Sequence, residues 1–443
     1  MKIQKLGLHN FRRFEDIEID FDPRLTVIIA RNGQGKTSVL DGVAVALGTY
    51  VGAFDMGKAT HIEKSDARIA RMNDQGDGEA QYPVRVRAHF KLPVGSGNYE
   101  IERELTGPKN RTTVSGARAL TEYGEELQGM LRAEWQIARP LPLVAYYGTG
   151  RLWKTHKNME RKQVLSASRT MGYENCLSPA SNFVQCQQWM AKATFAEWDE
   201  QRRPPEQRMS GGMEERLEAI KAAVNALLAE EGWSDFSYSP VHEELTMFNP
   251  EAGHLPVSML SDGVRAMVAM VADIAFRCVR LNGHLGSDAA RQTPGIVLID
   301  EVDMHLHPAW QQRVIGALLQ AFPLVQFIVT THSPQVLSTV RRENIRVLGQ
   351  NGETGRHEAV MPKFSPLAHE AGDALACVMD TPQIPLLDLL DDVHAYEQHV
   401  RAGDEKSTAA LAARQRLDKA GYQVHDADLS LWRLLAQRRR AGA

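Results

Sequence analysis

The segment Ala30-Arg-Asn-Gly-Gln-Gly-Lys-Thr37 carries the most explicit chemistry in this sequence of 443 residues. Apart from alanine at its first position it fits GxxxxGK[ST]. The glycines of that spacing let successive backbone N–H groups turn toward one point and approach phosphate oxygens closely. On this reading Asn32, Gly33, Gln34 and Gly35 form a phosphate cradle, and Lys36 bridges the β- and γ-phosphates of ATP. The Thr37 hydroxyl holds Mg²⁺, and Ser38 adds a phosphate contact. Ala30 asks only that a methyl group fit where the motif has glycine.

Three further groups suit the same chemistry. GIVLIDEVDMHLHP (Gly295–Pro308) is an apolar strand ending in two carboxylates. Asp300 is expected to hold the Mg²⁺ shell, and Glu301 to take a proton from the attacking water. Asp303 suits a loop that addresses an opposite subunit. His305 and His307 have the spacing of a chelating pair, but zinc wants three or four ligands. A capped turn before the next helix is the simpler reading. MLSDGVRAM places Ser261 and Gly263 at a helix start, where a hydroxyl and free N–H groups can meet an anion. Alone, such a serine is most simply an N-cap. LVQFIVTTHSPQVL then brings His332 to the end of a strand, where it can sense a γ-phosphate, with Thr331 and Ser333 as polar neighbours.

The elements that must position these residues are legible from periodicity. Residues 1–29 alternate as a hairpin followed by a short apolar strand, and that strand runs into the phosphate loop and a helix beginning TSVLDG. Residues 83–104 read as an antiparallel pair with 110–126 as a further edge, and Leu141–Gly148 as another strand. Helices are expected near 182–203, 213–232, 257–280 and 308–322, and buried strands at 296–301 and 325–330. From about 366 onward the chain reads as mainly helical. The fold class is therefore α/β.

Hydrophobic content of 43%, charged content of 24% and a net charge of −4 describe a folded chain with no global basicity. Cys176, Cys186, Cys278 and Cys377 are scattered, as buried thiols of a reducing cytoplasm would be. The charged start and the absence of a long apolar run argue for a cytoplasmic protein and against a membrane partner.

Taken together, NGxGKTSxLD, LSDGxR, LIDExDxHLHP and TTHSPQxL resemble the Walker A, signature, Walker B with D-loop, and H-switch motifs of the SMC and RecF class of ABC-type ATPases. The LSDG form together with HLHP resembles the compact prokaryotic branch of this RecF- and OLD-like class. The resemblance spans residues 1–340. VAYYGTGRLW (Val144–Trp153) is similar to a segment of anti-phage defence ATPases of Septu and retron-associated types, where the ATPase accompanies a separate nuclease. The resemblance implies an ABC/SMC-type P-loop head with Arg12 or Arg13 near nucleotide phosphates. It leaves the Q-loop glutamine unplaced, with Tyr147 or Arg151 in its neighbourhood. It also implies an ATP-sandwich homodimer or higher oligomer, in which each Ser261 meets the γ-phosphate held by the other subunit's Lys36.

The implied organisation is an N-terminal half of the head at 1–155, a helical insertion without long coiled coil at 156–250, and a C-terminal half of the head at 251–362. Residues 363–443 form a helical region for docking a partner or another copy. Asp426 and Asp428 have the spacing of a Toprim nuclease, but their surroundings read as helix, so an intrinsic nuclease is not expected. Arg202-Arg203, Arg341-Arg342 and Arg438 to Arg440 are solvated clusters or DNA phosphate contacts. The leading expectation is an ATPase controlling a DNA-targeting defence complex with a nuclease from the same operon. The rivals are a RecF-like repair clamp and an ATPase with its own nuclease.

Overall fold

The computed structural model describes residues 1–71, 78–93, 97–133, 139–152, 168–179, 183–204, 212–382 and 387–441. They form two compact units, Met1–Met379 and Asp380–Ala443.

The first unit opens with β1 (Lys2–Phe11), β2 (Phe14–Asp20), β3 (Leu25–Ile29) and α1 (Lys36–Gly52). β4 (Ile69–Arg71) and β5 (Gly78–Ala80) make a small ribbon, followed by β6 (Val84–Lys91), β7 (Asn98–Leu105), α2 (Arg118–Ala133) and β8 (Leu143–Tyr147). Next come α3 (Phe183–Arg202), α4 (Met213–Leu228), β9 (Ser234–Ser239), β10 (Glu244–Asn249), β11 (Gly253–Pro256) and α5 (Asp262–Asn282). After α6 (Ala289–Gln292) come the strand β12 (Gly295–Ile299), the short helices α7 (Pro308–Gln311) and α8 (Val314–Ala321), and β13 (Val325–Thr330). α9 (Pro334–Leu337), β14 (Ile345–Gln350), β15 (His357–Val360) and α10 (Ala371–Cys377) close the unit. The second unit holds α11 (Leu389–Ala402), α12 (Thr408–Lys419) and α13 (Asp426–Ala441), packed on Tyr396, Val400, Leu417 and Trp432.

A six-stranded sheet ordered β15-β14-β3-β13-β12-β8 is the scaffold of the site. Every residue of β3, β8, β12 and β13 is buried, which is why these strands read as continuous apolar runs rather than alternating ones. β14, β3, β13, β12 and β8 run parallel to their neighbours, and β15 closes one edge antiparallel to β14. Their carboxyl ends therefore lie at one edge, where open α/β sheets bind ligands. A second, antiparallel sheet ordered β2-β1-β6-β7 packs beside it. Gln326, buried near the start of β13, joins the two: its side chain donates to the carbonyls of Ile3 and Asp22 and accepts from the Ile3 amide at 2.9 Å.

Three expectations are corrected, and one pair of strands is new. Residues 110–126 are not an edge strand. Thr113 lies along β7, accepting from the Glu104 amide at 2.9 Å, a short turn at 115–117 follows, and α2 starts at Arg118. There Leu120, Tyr123 and Leu127 recur at helical spacing and are buried, and Arg118 pairs with Glu122 one turn on. The insertion at 156–250 is not purely helical, because β9–β11 form a three-stranded sheet. Phe236, Leu245 and Met247 are among its buried residues. The strands β14 and β15 were not read from the sequence, since Arg346 breaks the apolar pattern of β14. Finally, Cys176, Cys186 and Cys278 are buried as expected, but Cys377 is exposed.

Candidate nucleotide site

The phosphate loop connects β3 to α1. Gly33 and Gly35 adopt left-handed backbone, with φ of 72° and 94°, a region that favours glycine. A Cβ at Gly35 would stand 2.4 Å from Phe14 Cζ and 2.9 Å from Arg13 Cδ, so the turn between β1 and β2 roofs the loop. α1 begins at Lys36 with no side-chain cap. Its first N–H groups and the positive end of its dipole are thus available to an anion. Asn32 and Gly33 are exposed, Gln34 and Gly35 are half-buried, and Ser38 is buried beneath the loop. Ala30 is itself buried, and its methyl group is accommodated at the end of β3.

β12 delivers Asp300, only 2% exposed, directly against this loop. Thr37 Oγ1 donates to Asp300 Oδ2 at 2.7 Å, although the two residues are 263 positions apart. A hydroxyl and a carboxylate oxygen side by side are the hard donors that Mg²⁺ accepts while keeping most of its water. Glu301 follows on left-handed backbone, with φ of 49°. The last residue of β13 and the two that follow it close the constellation. Thr330 Oγ1 donates to Asp300 Oδ1 at 2.6 Å, Thr331 Oγ1 donates to Asp303 Oδ1 at 2.5 Å, and His332 Nε2 contacts Lys36 Nζ. Lys36 also reaches the Ala30 carbonyl at 3.4 Å.

Burial is the main influence on both basic groups. It lowers the Lys36 ammonium below its usual value against the opposing pull of Asp300, Glu301 and Asp303. His332 is lowered by burial first and then by the Lys36 charge. A neutral imidazole accepting from an ammonium is the pairing this produces.

The two candidate arginines have different surroundings. Arg12 is tied down, its guanidinium paired with Asp41 and, at 2.8 Å, with Asp66. Arg13 lies on Gly35, its Nε is buried without a hydrogen-bond partner, and burial lowers it from its usual value. That orphaned donor beside the loop is what an anion would satisfy. A cavity of about 980 Å³ opens along this turn, lined by Arg12, Arg13, Arg68, Arg356 and His357 among others.

Ser261 sits at the N-terminus of α5, exposed, with its hydroxyl making no capping bond. Among the described residues no hydrogen bond joins it to the phosphate loop. Gly263 is needed for packing, since a Cβ there would stand 2.4 Å from the His305 carbonyl oxygen. His307 accepts from the Ala309 amide at 3.3 Å as the N-cap of α7, so the capped turn is the observed role. Among the described residues no group of three or more His, Cys, Asp or Glu side chains could hold a metal. Tyr147 is buried and turned away from the loop, donating to Asp273 at 2.6 Å. The Arg151 side chain lies outside the described residues, as do the side chains of Arg439 and Arg440. Asp426 and Asp428 stand in the first turn of α13. Sequence reasoning missed Thr330, Asp41 and Tyr146, whose hydroxyl donates to Asp41 at 2.9 Å. The aspartate closing NGxGKTSxLD was the available signal for the second of these.

Sheet order, phosphate loop and the acidic pair that follows β12 define a P-loop ATPase fold of the SMC/ABC type. The chain belongs to the AAA domain family, which matches residues 5–230, just over half of it. A second AAA domain family, whose description also names AbiEii toxins of type IV toxin–antitoxin systems, matches residues 195–338. The chain is 25% identical to the Retron Vc95 probable ATPase of Vibrio cholerae serotype O1 biovar El Tor, over 91% of this chain and 84% of that protein. It is 24% identical to Septu protein PtuA of Bacillus mycoides, over 79% of this chain but only 41% of that protein. Among solved structures, an Smc head domain with an extended coiled coil, bound to the C-terminal domain of ScpA derived from Pyrococcus furiosus, matches with a TM-score of 0.48. The identity is 16%, covering 81% of this chain and 96% of that one. No helix among the described residues is long and apolar enough to cross a membrane.

Proposed function

We propose that this chain binds ATP with Mg²⁺ and hydrolyses it as one half of a nucleotide-sandwiched dimer, and that the cycle controls a DNA-targeting defence complex with a separate nuclease. One observation carries the reading: Lys36, Thr37, Asp300, Glu301 and His332 converge at the carboxyl ends of β3, β12 and β13.

The loop amides and Lys36 bind the β- and γ-phosphates, and Arg13 supplies a further cation. Thr37 and Asp300 hold the Mg²⁺, which neutralises phosphate charge when bound. Glu301 accepts the proton of the attacking water, and His332 reads the γ-phosphate that replaces it as the neighbour of Lys36. Ser261, exposed at the positive end of α5, meets the γ-phosphate held by a second copy. Hydrolysis removes that shared ligand, so the dimer is stable only with ATP.

The defence assignment draws support from the relatives' names, retron ATPase and Septu PtuA. Glu301→Gln tests the ATPase part: binding persists, turnover stops, and an ATP-dependent dimer accumulates on gel filtration. Normal hydrolysis by that variant overturns the assignment of the base. For the defence part, phage plaque counts on cells carrying the native operon should rise on Lys36→Ala. Equal protection by that variant removes the link.

A further inference from the structure

Thr330, the last residue of β13, is fully buried and turns both its hydroxyl and its carbonyl to the acidic loop that follows β12. Its hydroxyl donates to Asp300 Oδ1 at 2.6 Å and accepts from the Glu301 amide at 2.8 Å. Its carbonyl accepts from the Val302 amide at 2.9 Å. These three bonds bracket Glu301, whose φ of 49° is one that side chains rarely adopt. Such a conformation persists only where the surroundings impose it. Asp300 is gripped on its other oxygen by Thr37 at 2.7 Å and through its amide by the Tyr147 carbonyl at 2.8 Å.

We propose that Thr330 is a positioning residue for hydrolysis, fixing both the Asp300 carboxylate and the left-handed turn on which Glu301 stands. The argument rests on the ATPase reading above. A threonine suits the place for two reasons. Its hydroxyl has one donor and two acceptor sites, enough to serve a carboxylate and an amide together. Its β-branch restricts rotation about χ1, so the hydroxyl keeps its aim. Because Thr330 stands two residues before His332, the strand end that reads the γ-phosphate also holds the base. Thr331, between them, donates to Asp303. A displacement of this strand end would therefore shift the metal-shell carboxylate and the base together.

The test compares the parent protein with Thr330→Val and Thr330→Ser, measuring ATP binding with a fluorescent analogue, steady-state hydrolysis, and the lifetime of the ATP-dependent dimer. Thr330→Val should bind ATP nearly as the parent does. Its kcat should fall about 10- to 100-fold, as losing an outer-shell partner typically costs, and its ATP-bound dimer should last correspondingly longer. Thr330→Ser should restore most of the rate. Parental kcat in folded Thr330→Val overturns the proposal. Equal losses in the valine and serine variants also overturn it, because packing rather than the hydroxyl would then be at stake. If Thr330→Val does not fold, Thr330→Ser and Thr330→Ala replace it, since they differ by one oxygen atom, and equal rates in that pair overturn the idea. The Glu301→Gln control separates the two readings. Unchanged turnover in that variant sinks the ATPase assignment, whereas a dead Glu301→Gln beside a fast Thr330→Val sinks only the role of Thr330.

Discussion

Lys36 and His332 touch, Nζ to Nε2, although one belongs to the phosphate loop and the other to the end of β13. Two basic groups tolerate this contact only while the imidazole is neutral. Burial and the neighbouring ammonium both keep it so, against the weaker pull of Glu301, Asp303 and Asp300.

A pH dependence follows. His332 has a folded pKa below its ordinary 6.5, so between those two values the unfolded chain binds more protons than the folded one. Its contribution to stability is complete above the unfolded pKa and is lost as pH falls through the folded one. Thermal melts of the nucleotide-free protein should show the melting temperature dropping below about pH 6.5. In His332→Gln that segment of the profile should be flatter. Identical profiles for the two proteins would show that His332 does not titrate in this way.

The two arginines of the turn should separate cleanly. Arg12→Ala leaves Asp66, only 7% exposed at its side chain, without its guanidinium. A loss of about 1–3 kcal/mol in urea unfolding is expected for stranding a buried acceptor. Arg13→Ala breaks no hydrogen bond or ion pair of the described residues. Its stability should be near parental while its affinity for ATP weakens about tenfold, the equivalent of one 1.4 kcal/mol contact. The reverse pattern would exchange the roles assigned to them.

Much of the site was legible because each motif couples a residue type to a strand end, and buried parallel strands announce themselves as apolar runs. GIVLID and VQFIVTTH announced both the strand and the end at which its candidate site residue stands. What escaped was chemistry performed by ordinary residues. Thr330 looks like one more β-branched strand residue, and only the register of β12 against β13 brings its hydroxyl to Asp300. Arg12 and Arg13 are adjacent and chemically alike. Their division of labour depends on Asp41 and Asp66, distant in sequence, and on a left-handed φ of 55° at Arg12. The strands β9–β11 and β14–β15 were missed for another reason. They are short and partly exposed, so their alternation is interrupted by polar residues such as Arg346.

Thiol labelling offers an inexpensive check of the packing. Burial pushes the thiols of Cys176 and Cys278 up to about 12, and that of Cys186 well above its usual value. The reactive thiolate is therefore scarce at these three sites near neutral pH. Cys377 is exposed. Native protein should react with a thiol reagent at one site rapidly, with the other three appearing only on denaturation. Cys377→Ser should abolish the fast phase. Rapid modification of Cys186 would mean that the packing of α3 against α5, where its thiol donates to the Ala272 carbonyl, is loose.

Whether catalysis is shared between subunits can be decided by mixing two inactive proteins. Lys36→Ala removes the phosphate-binding cation, and Ser261→Arg blocks the exposed start of α5; each should be inactive alone. If every site combines Lys36 of one copy with Ser261 of another, a mixed dimer holds one site in which both residues are native and one in which neither is. Equal mixing should then restore roughly a quarter of the parental rate, because half the dimers are mixed and each has one working site of two. A site complete within one chain predicts a different outcome, since Lys36 and Ser261 would then act in the same copy and mixing could never reunite them. Measured ATP turnover that stays at the sum of the separate variants would therefore exclude the sandwich, even if each residue proved essential by itself. The exposed, uncapped hydroxyl of Ser261 is the reason to expect recovery: it is presented outward at a helix N-terminus, without a bond to the loop of its own chain.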